Sequence, residues 1–527
     1  MVALIRQALQ GEVLQPVTQL FEVVQSYHHG HVQAVLEAMR RLGLDAVLGS
    51  RTCRERTVVK ALVAARVLDP QSKLATSRSW GTTTLPLLLG LEEVTAYELY
   101  AALDWLRKRQ TRIEKRLAHR PLSARGLVLY DLSSSDLEGQ QCPLAAYGYN
   151  RDGQRGKLQI TYGLVTTRQG CPVAVSVFEG NTADATTLLP QVQRLRERFS
   201  IERLVRGGDR GRIAQVHIDQ LQTLPGVDWI TALRSGAIRR LRDEAMVTTD
   251  QFEGRPWFEL CHPDFPGERL VACRNPALAS HRATRRQALL DATEQDLIAI
   301  QQQVQQGRLP GRSEIGLRVG KVINRYQMAK HFTLTITDTS LTFAVDAAHV
   351  QTEAALDGIY ILRTSLTVET MMAAEVVRSY QQLSQVEHAF RSLKTVDLQV
   401  RPIFHRLADR VKAHVFLCML AYYVQWHLMA AWRPLLFHDE DQVAKATRDP
   451  VAPAQRSLAA RVKAGTKQLP DGTPVHSFRT LLTHLSTQVR NVCRPVVTAG
   501  TGQTFTLDTQ PDGTQQRAYE LLKSIQL

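Results

Sequence analysis

A phenol, a carboxylate and an ammonium stand at a spacing that suits phosphate chemistry. In Tyr380-Gln-Gln-Leu-Ser-Gln-Val-Glu387-His-Ala-Phe-Arg391-Ser-Leu-Lys394, Tyr380, Glu387 and Lys394 are seven residues apart. Seven residues make roughly two helical turns, so an unbroken helix would project all three from nearly one face. Such a stripe fits a site where a metal-binding acid meets a phosphodiester, the cation and phenol gripping its non-bridging oxygens. Two further acids close short apolar runs, in Gly126-Leu-Val-Leu-Tyr-Asp131 and Ile201-Glu-Arg-Leu-Val-Arg-Gly-Gly-Asp209. If those runs are parallel neighbours in one sheet, Asp131 and Asp209 emerge together at its C-terminal edge, where open α/β sheets place their sites. Gly207 and Gly208 leave room there for a ligand or another backbone. Each acid alone reads more readily as a cap or turn residue. Their convergence is what carries the chemistry.

Three acids are what phosphodiester exchange asks for. Mg²⁺ prefers hard oxygen ligands and keeps positions open for water and phosphate. Two ions about 3.5–4 Å apart stabilise both the attacking and the leaving oxygen of an in-line displacement. Three bare carboxylates would repel one another, so metal is expected to order them.

The elements that must position these residues follow from periodicity. Residues 1 to about 125 read as helices: a segment from His31 stopped by Gly43, a second from Thr57 to Leu68 before Pro70, and a third from Ala96 to His119. The third carries Arg107, Lys108, Arg109, Arg112, Lys115 and Arg116, a face that could follow a DNA backbone or simply be solvated. From 126 to 233 the order is strand, strand, strand, helix, strand, helix, strand, with a hairpin turn at Arg168-Gln-Gly170 and the first helix over Asp184 to Arg198. Between 234 and 365 come strands at Trp257, Leu270, Phe332, Leu341 and Gly358, and a helical arm from Ala283 to Gln306. A buried helix continues from Arg406 through the apolar run Val415 to Val424. A hairpin is expected between Pro495 and Leu507. The expected organisation is a helical N-terminal DNA-binding region (1–125), a catalytic core in two parts (126–233 and 366–434), an insertion domain (234–365) and a C-terminal region (435–527).

The totals agree with several domains and a polyanionic partner. The chain has 527 residues, 44% hydrophobic and 22% charged, which suits globular folding rather than disorder. Its 65 Lys+Arg against 50 Asp+Glu give a net charge of +15, which points to nucleic acid. Seven scattered cysteines show no C-x-x-C spacing, as expected for buried thiols in a reducing cytosol. Cys261, His262, Cys273 and His281 match no standard zinc spacing. No secretion signal is visible and the apolar run near 415 is too short to span a bilayer, so a cytoplasmic protein without membrane association is expected.

These residues resemble the bacterial insertion-sequence transposases of the DDE superfamily, in the branch whose catalytic helix carries Y-x2-R-x3-E-x6-K. The resemblance is densest in Leu129-Tyr-Asp131-Leu-Ser-Ser-Ser, Gly148-Tyr-Asn-Arg-Asp-Gly-Gln-Arg-Gly-Lys157, Glu179-Gly-Asn-Thr-Ala-Asp184, Gly208-Asp209-Arg-Gly and Val386-Glu-His-Ala-Phe-Arg-Ser-Leu-Lys394. It implies an α/β catalytic core, a ribonuclease-H-like mixed sheet flanked by helices, with an all-α N-terminal region and a β-rich insertion domain bearing a helical arm. It also implies that Asp131, Asp209 and Glu387 are the catalytic, metal-binding triad for two Mg²⁺ ions, with Mn²⁺ able to substitute. Tyr380 and Lys394 would then grip DNA. The family's arginine four residues before the glutamate is Leu383 here, and Arg391, on the same helical face, could supply that charge or merely pair with Glu387.

In related enzymes an insertion domain supplies an aromatic ring that stacks on a flipped base. Trp257 is the candidate here, beside the plainer reading of a core tryptophan. Lys157, Arg151 and Arg155 are expected to face backbone phosphate, while Asp136 and Glu138 read as loop acids. The implied activity is that of a DNA transposase: binding of terminal inverted repeats, hydrolysis at the element ends, then joining of the 3′-OH ends to target DNA by a homodimer or larger synaptic complex. The rivals are a ribonuclease-H-like nuclease that cuts without joining and an inactive, domesticated DNA-binding relative. A carboxylate-rich phosphatase is more distant.

Overall fold

The computed structural model describes residues 20–119, 128–139, 141–150, 156–182, 204–207, 215–223, 226–442, 448–452, 455–496 and 503–526. The expected helix from Asp184 to Arg198 lies outside them, as do Arg151, Arg155 and Asp209.

The described chain enters through β1 (Phe21–His28) and a run of helices: α1 (Gly30–Arg41), α2 (Leu44–Leu48), α3 (Arg54–Leu68), α4 (Lys73–Arg78), α5 (Leu85–Leu89) and α6 (Ala96–His119). Gly43 separates α1 from α2 with φ +55°, the left-handed geometry that ends helices. The bounds of α6 are those its periodicity predicts, and Leu99, Leu103, Leu106, Ile113 and Leu117 form its buried face. β1 corrects the all-helical reading of this region. Its partner is the strand Val489–Pro495, more than 450 residues on, and most of its residues are exposed, so no alternation marks it as a strand.

β2 (Val128–Asp136), β3 (Gln159–Thr167) and β4 (Pro172–Glu179) form an antiparallel sheet in that order. Side chains of α6 close its β4 edge. Gln110 donates to the Val175 carbonyl at 2.9 Å, and the Val175 N–H donates to the buried Glu114 carboxylate at 3.2 Å. At Val175, therefore, the edge offers no free backbone pair to another strand.

Next come β5 (Leu204–Gly207), α7 (Gln215–Gln222), β6 (Val227–Ala232), α8 (Ser235–Asp243), β7 (Trp257–Leu260) and β8 (Arg269–Arg274). α9 (Pro276–Gln305), α10 (Arg312–Tyr326), β9 (Phe332–Ile336), β10 (Leu341–Val345), α11 (Ala347–Ala354) and β11 (Ile359–Thr364) follow. The second sheet has the order β5-β6-β11-β8-β7, with β5 and β6 parallel and the remaining pairs antiparallel. β5 packs beside β2. Strands β7, β8 and β11 therefore extend the sheet that β5 and β6 begin. The helical arm and the β9–β10 hairpin keep a core of their own, built on Leu290, Leu297, Ile300, Ile315, Val319 and Phe332. α9 starts earlier than expected because Asn275 accepts the Leu278 N–H at 3.0 Å and Pro276 fills the first turn.

The chain closes with α12 (Ala373–Gln381), α13 (Leu383–Arg391), α14 (Ala408–Ala431), α15 (Leu458–Thr466), α16 (Phe478–Ser486), β12 (Val489–Pro495), β13 (Phe505–Asp508) and α17 (Gly513–Leu521). β12 and β13 form the expected hairpin, and β1 joins it as a third strand. α14 is buried nearly all round at the centre of the main core. That core is shared by the N-terminal helices, β2 to β4, α13 and the C-terminal elements. No helix among the described residues is long and apolar enough to cross a membrane. The architecture is mixed α/β, with several small sheets and many helices.

Candidate active site

Asp131 lies within β2 rather than at its end. It is the fourth of nine strand residues and alone among them is not fully buried. The strand continues because β3 pairs with it throughout, from Val128 opposite Thr167 to Asp136 opposite Gln159. The serines after Asp131 are buried but tolerated, as the Ser135–Tyr162 hydroxyl bond of 3.0 Å illustrates.

α13 packs against β2, so the element carrying Glu387 adjoins the one carrying Asp131. Val386, Ala389 and Phe390 bury the inner face of α13, and the Phe390 ring meets Tyr162 edge-on at 5.8 Å. Glu387 is on the exposed side. Arg391 is exposed too, and among the described residues no ion pair joins it to Glu387. Asp209 lies outside the described residues, two positions beyond the end of β5 in sequence.

The unbroken helix expected from 380 to 394 is interrupted twice. At Gln382 a turn separates α12 from α13, and Arg168 holds the join, donating to Gln382 at 2.7 Å and pairing with Glu375 at 3.5 Å. Arg168 belongs to the β3–β4 turn, so the first sheet sets the angle between the helices. The second interruption is a π-helical turn over Ser392–Val396, which rotates Lys394 inward to 7% exposure. Tyr380, on α12, is partly buried against the apolar cluster of Ile230, Val271 and Leu362 in the second sheet. A heptad spacing read straight through such breaks overstates how alike the three environments are.

The chain after Lys394 is gripped from several sides. Ser392 and Gln425 both donate to the Asp397 carboxylate, Gln425 at 2.7 Å. Arg479 donates to the Asp397 carbonyl, and Arg66 to those of Leu398 and Gln399 at 3.4 Å. His414 Nε2 lies 3.0 Å from the Val400 carbonyl and its Nδ1 lies 3.1 Å from Lys73 Nζ. A carbonyl only accepts, so Nε2 carries the proton and Nδ1 accepts from Lys73. Glu138 N–H donates to the Ile403 carbonyl at 3.1 Å, and Arg401 faces Asp136 at 3.6 Å. Asp136, read from sequence as a loop acid, is buried at the strand end and accepts from Asn150 at 2.7 Å. These contacts tie the stretch behind Lys394 to the strand of Asp131.

The remaining candidates are dispersed. Lys157 is exposed just before β3. Trp257 is half-buried on β7, packs against the second-sheet cluster and lines an open pocket of about 400 Å³ with Arg255 and Phe258. On α6, Arg107 pairs with Asp409 at 3.1 Å, Arg109 lies over the Trp105 ring, and Arg116 donates to the carbonyls of Ala46 and Val47. Lys108, Arg112 and Lys115 are exposed. Cys273 is buried and burial pushes its thiol up to about 12, while His262 is engaged with Glu244 at 2.8 Å. No group of three His, Cys, Asp or Glu among the described residues could hold a metal ion. The signals that sequence reading missed here are Asp397 and Gln425, polar residues inside apolar helical surroundings.

Comparison with known proteins gives one family. The model of a transposase DDE domain matches residues 125–424, a span that includes Asp131, Asp209 and Glu387. No curated protein matches the chain. Among solved structures, the chain is similar to the piggyBac transposase in a cryo-EM synaptic complex with hairpin DNA. That likeness has 10% identity and a TM-score of 0.36, over 86% of this chain and 77% of that one.

Proposed function

The chain belongs to the DDE transposase family, and from that premise we propose that it cuts DNA at the ends of its own element and joins the freed 3′-OH ends to target DNA. The observation that carries this reading is the packing of α13 on β2, which sets Glu387 on an element adjoining the partly exposed Asp131. The arrangement of β4, β3 and β2 beside β5 and β6 supports a ribonuclease-H-like core.

Asp131, Asp209 and Glu387 would hold two Mg²⁺ ions. Carboxylate oxygens are the hard donors this ion takes, and Asp131 is the one residue of its strand left partly open. Bound there, such ions would supply a lowered pKa for the attacking water and charge stabilisation for the leaving oxygen. The chain's own residues do the rest. Lys394, sheltered in the π-helical turn, presents a weakly screened ammonium to the phosphate, with Tyr380 beside the second sheet as the partner grip. Arg391 supplies a cation next to Glu387. Lys157 contacts backbone phosphate, and Trp257 stacks on a base drawn out of the duplex at the element end. Joining needs no outside energy, because one phosphodiester replaces another. Both ends must be held together, so the working form is a homodimer or larger synaptic assembly on terminal inverted repeats.

The test is a nicking and strand-transfer assay on DNA bracketing the gene, with Mg²⁺, Mn²⁺ or chelator. Cutting at the terminal repeats and joining of pre-cut ends to a plasmid, both lost with chelator, are expected. Cutting without joining would leave a nuclease, and metal-independent cutting would remove the triad.

A further inference from the structure

Two tyrosines between β2 and β3 are held in the open. Tyr147 is 68% exposed and Tyr149 84% exposed, whereas the nearby Leu137, Cys142 and Leu144 are buried. The stretch that carries them is pinned from every side. Ala146 exchanges both backbone hydrogen bonds with Gln159, at 3.2 and 3.1 Å. The Gln159 amide donates to the Tyr149 carbonyl at 3.1 Å and to that of Gly180 at 2.8 Å. Asn150 donates to Asp136 at 2.7 Å.

The residue between the rings must be glycine. A Cβ at Gly148 would overlap the Gly180 carbonyl oxygen and crowd the Gln159 amide. Gly148 and Asn150 thus face the sheet, while the alternate residues Tyr147 and Tyr149 are exposed. Two residues of chain set their attachment points no more than about 7 Å apart. A flat base in contact with a ring on each side, about 3.5 Å per contact, spans nearly the same gap.

We infer that Tyr147 and Tyr149 form a stacking clamp for an unpaired nucleobase of DNA. The inference rests on the proposed DNA-cutting function and adds a contact to it. Rings on a rigid backbone lose little freedom on binding, and stacking on them is tolerant of sequence. The exposed Lys157, at the foot of the paired strand, suits the attached phosphates. Asp136, to which the clamp is tied, is five strand residues from Asp131, or about 16 Å.

The full-length protein is titrated with a labelled oligothymidylate and with a labelled duplex of equal length. Joint Tyr147→Ala and Tyr149→Ala replacement is expected to weaken single-strand binding about ten-fold, with duplex binding changed less than about two-fold. Tyr147→Phe with Tyr149→Phe should restore it, because the ring stacks without its hydroxyl. Wild-type affinity in the alanine variant overturns the clamp, as does a wild-type protein with no affinity for the single strand. So does a change of oligomeric mass at unchanged DNA affinity, which would mark the rings as a contact between copies. Nicking of element ends, measured alongside, separates the two ideas. A protein that grips oligothymidylate through these rings but cuts nothing contradicts the proposed function alone.

Discussion

At the scale of single residues, Glu387 and Lys394 share a heptad spacing but not an environment: one is exposed, the other almost wholly buried. Residue types and their order along the chain named both, yet only the π-helical turn explains why the ammonium is sheltered. Arg391 is the test of the family's displaced arginine. If it contacts phosphate, Arg391→Ala should weaken DNA binding and lower the slope of log affinity against log salt by about one. An unchanged slope leaves it a solvated side chain. Buried histidines give a second prediction. Burial lowers His31 to about 4 and His405 to about 3, with neighbouring cations adding to the shift at His405. Both are neutral when folded and take up protons once unfolded below the ordinary 6.5, so the unfolded state binds more protons in that window. Stability is therefore lost as pH falls from 6.5 towards about 4, and His31→Gln with His405→Gln should flatten the fall in thermal midpoint. Lys73 works at the other end. Burial depresses it to about 7 from 10.5, so its contribution to stability rises as pH climbs through that interval.

At the scale of elements, what was legible was whatever carried a local period. α6 and the strands of the second sheet could be read because apolar spacing and turn residues mark them. α10 carries an equally readable stripe, Ile315, Val319 and Ile323. The break at Gln382 and the π-helical turn could not be read, because Arg168 and Gln425, which hold them, come from other parts of the chain. Those contacts carry the next prediction. Gln425→Leu strips a donor from the buried Asp397 carboxylate, which should cost about 2 kcal/mol and lower the thermal midpoint. If the π-helical turn positions Lys394, the same variant should lose DNA cutting at temperatures where circular dichroism still reports a folded chain. Full cutting would show that the turn does not govern Lys394.

At the scale of the molecule, the first and last described elements close on each other. β1 pairs with β12, the Tyr519 hydroxyl donates to the Gly30 carbonyl at 3.1 Å, and the Trp432 indole N–H donates to the Ala518 carbonyl at 3.0 Å. The helices that read as a separate DNA-binding region share one core with β2 to β4 and α14. Half of the six basic side chains on α6 are spent on contacts inside the protein: Arg107, Arg109 and Arg116. No local pattern announces a pairing between residues so far apart. The consequence is testable by truncation. Removing residues 489–527 takes away β12, β13 and α17, and should leave Phe21–His28 open to rapid proteolysis and the main core loosened. A truncated chain as resistant as the full one would mean that the N-terminal elements stand without their partner.

The central claim is that Asp131, Asp209 and Glu387 act as one unit on DNA. Single-turnover cutting of labelled element-end DNA in Mg²⁺ tests it most directly, comparing wild type with Asp131→Asn, Asp209→Asn and Glu387→Gln, with end binding followed by gel shift. Each variant should bind the ends within about three-fold of wild type yet cut at least about a thousand-fold more slowly, as expected when groups that work together are removed one at a time. Cutting at the wild-type rate by any one of the three would contradict the account.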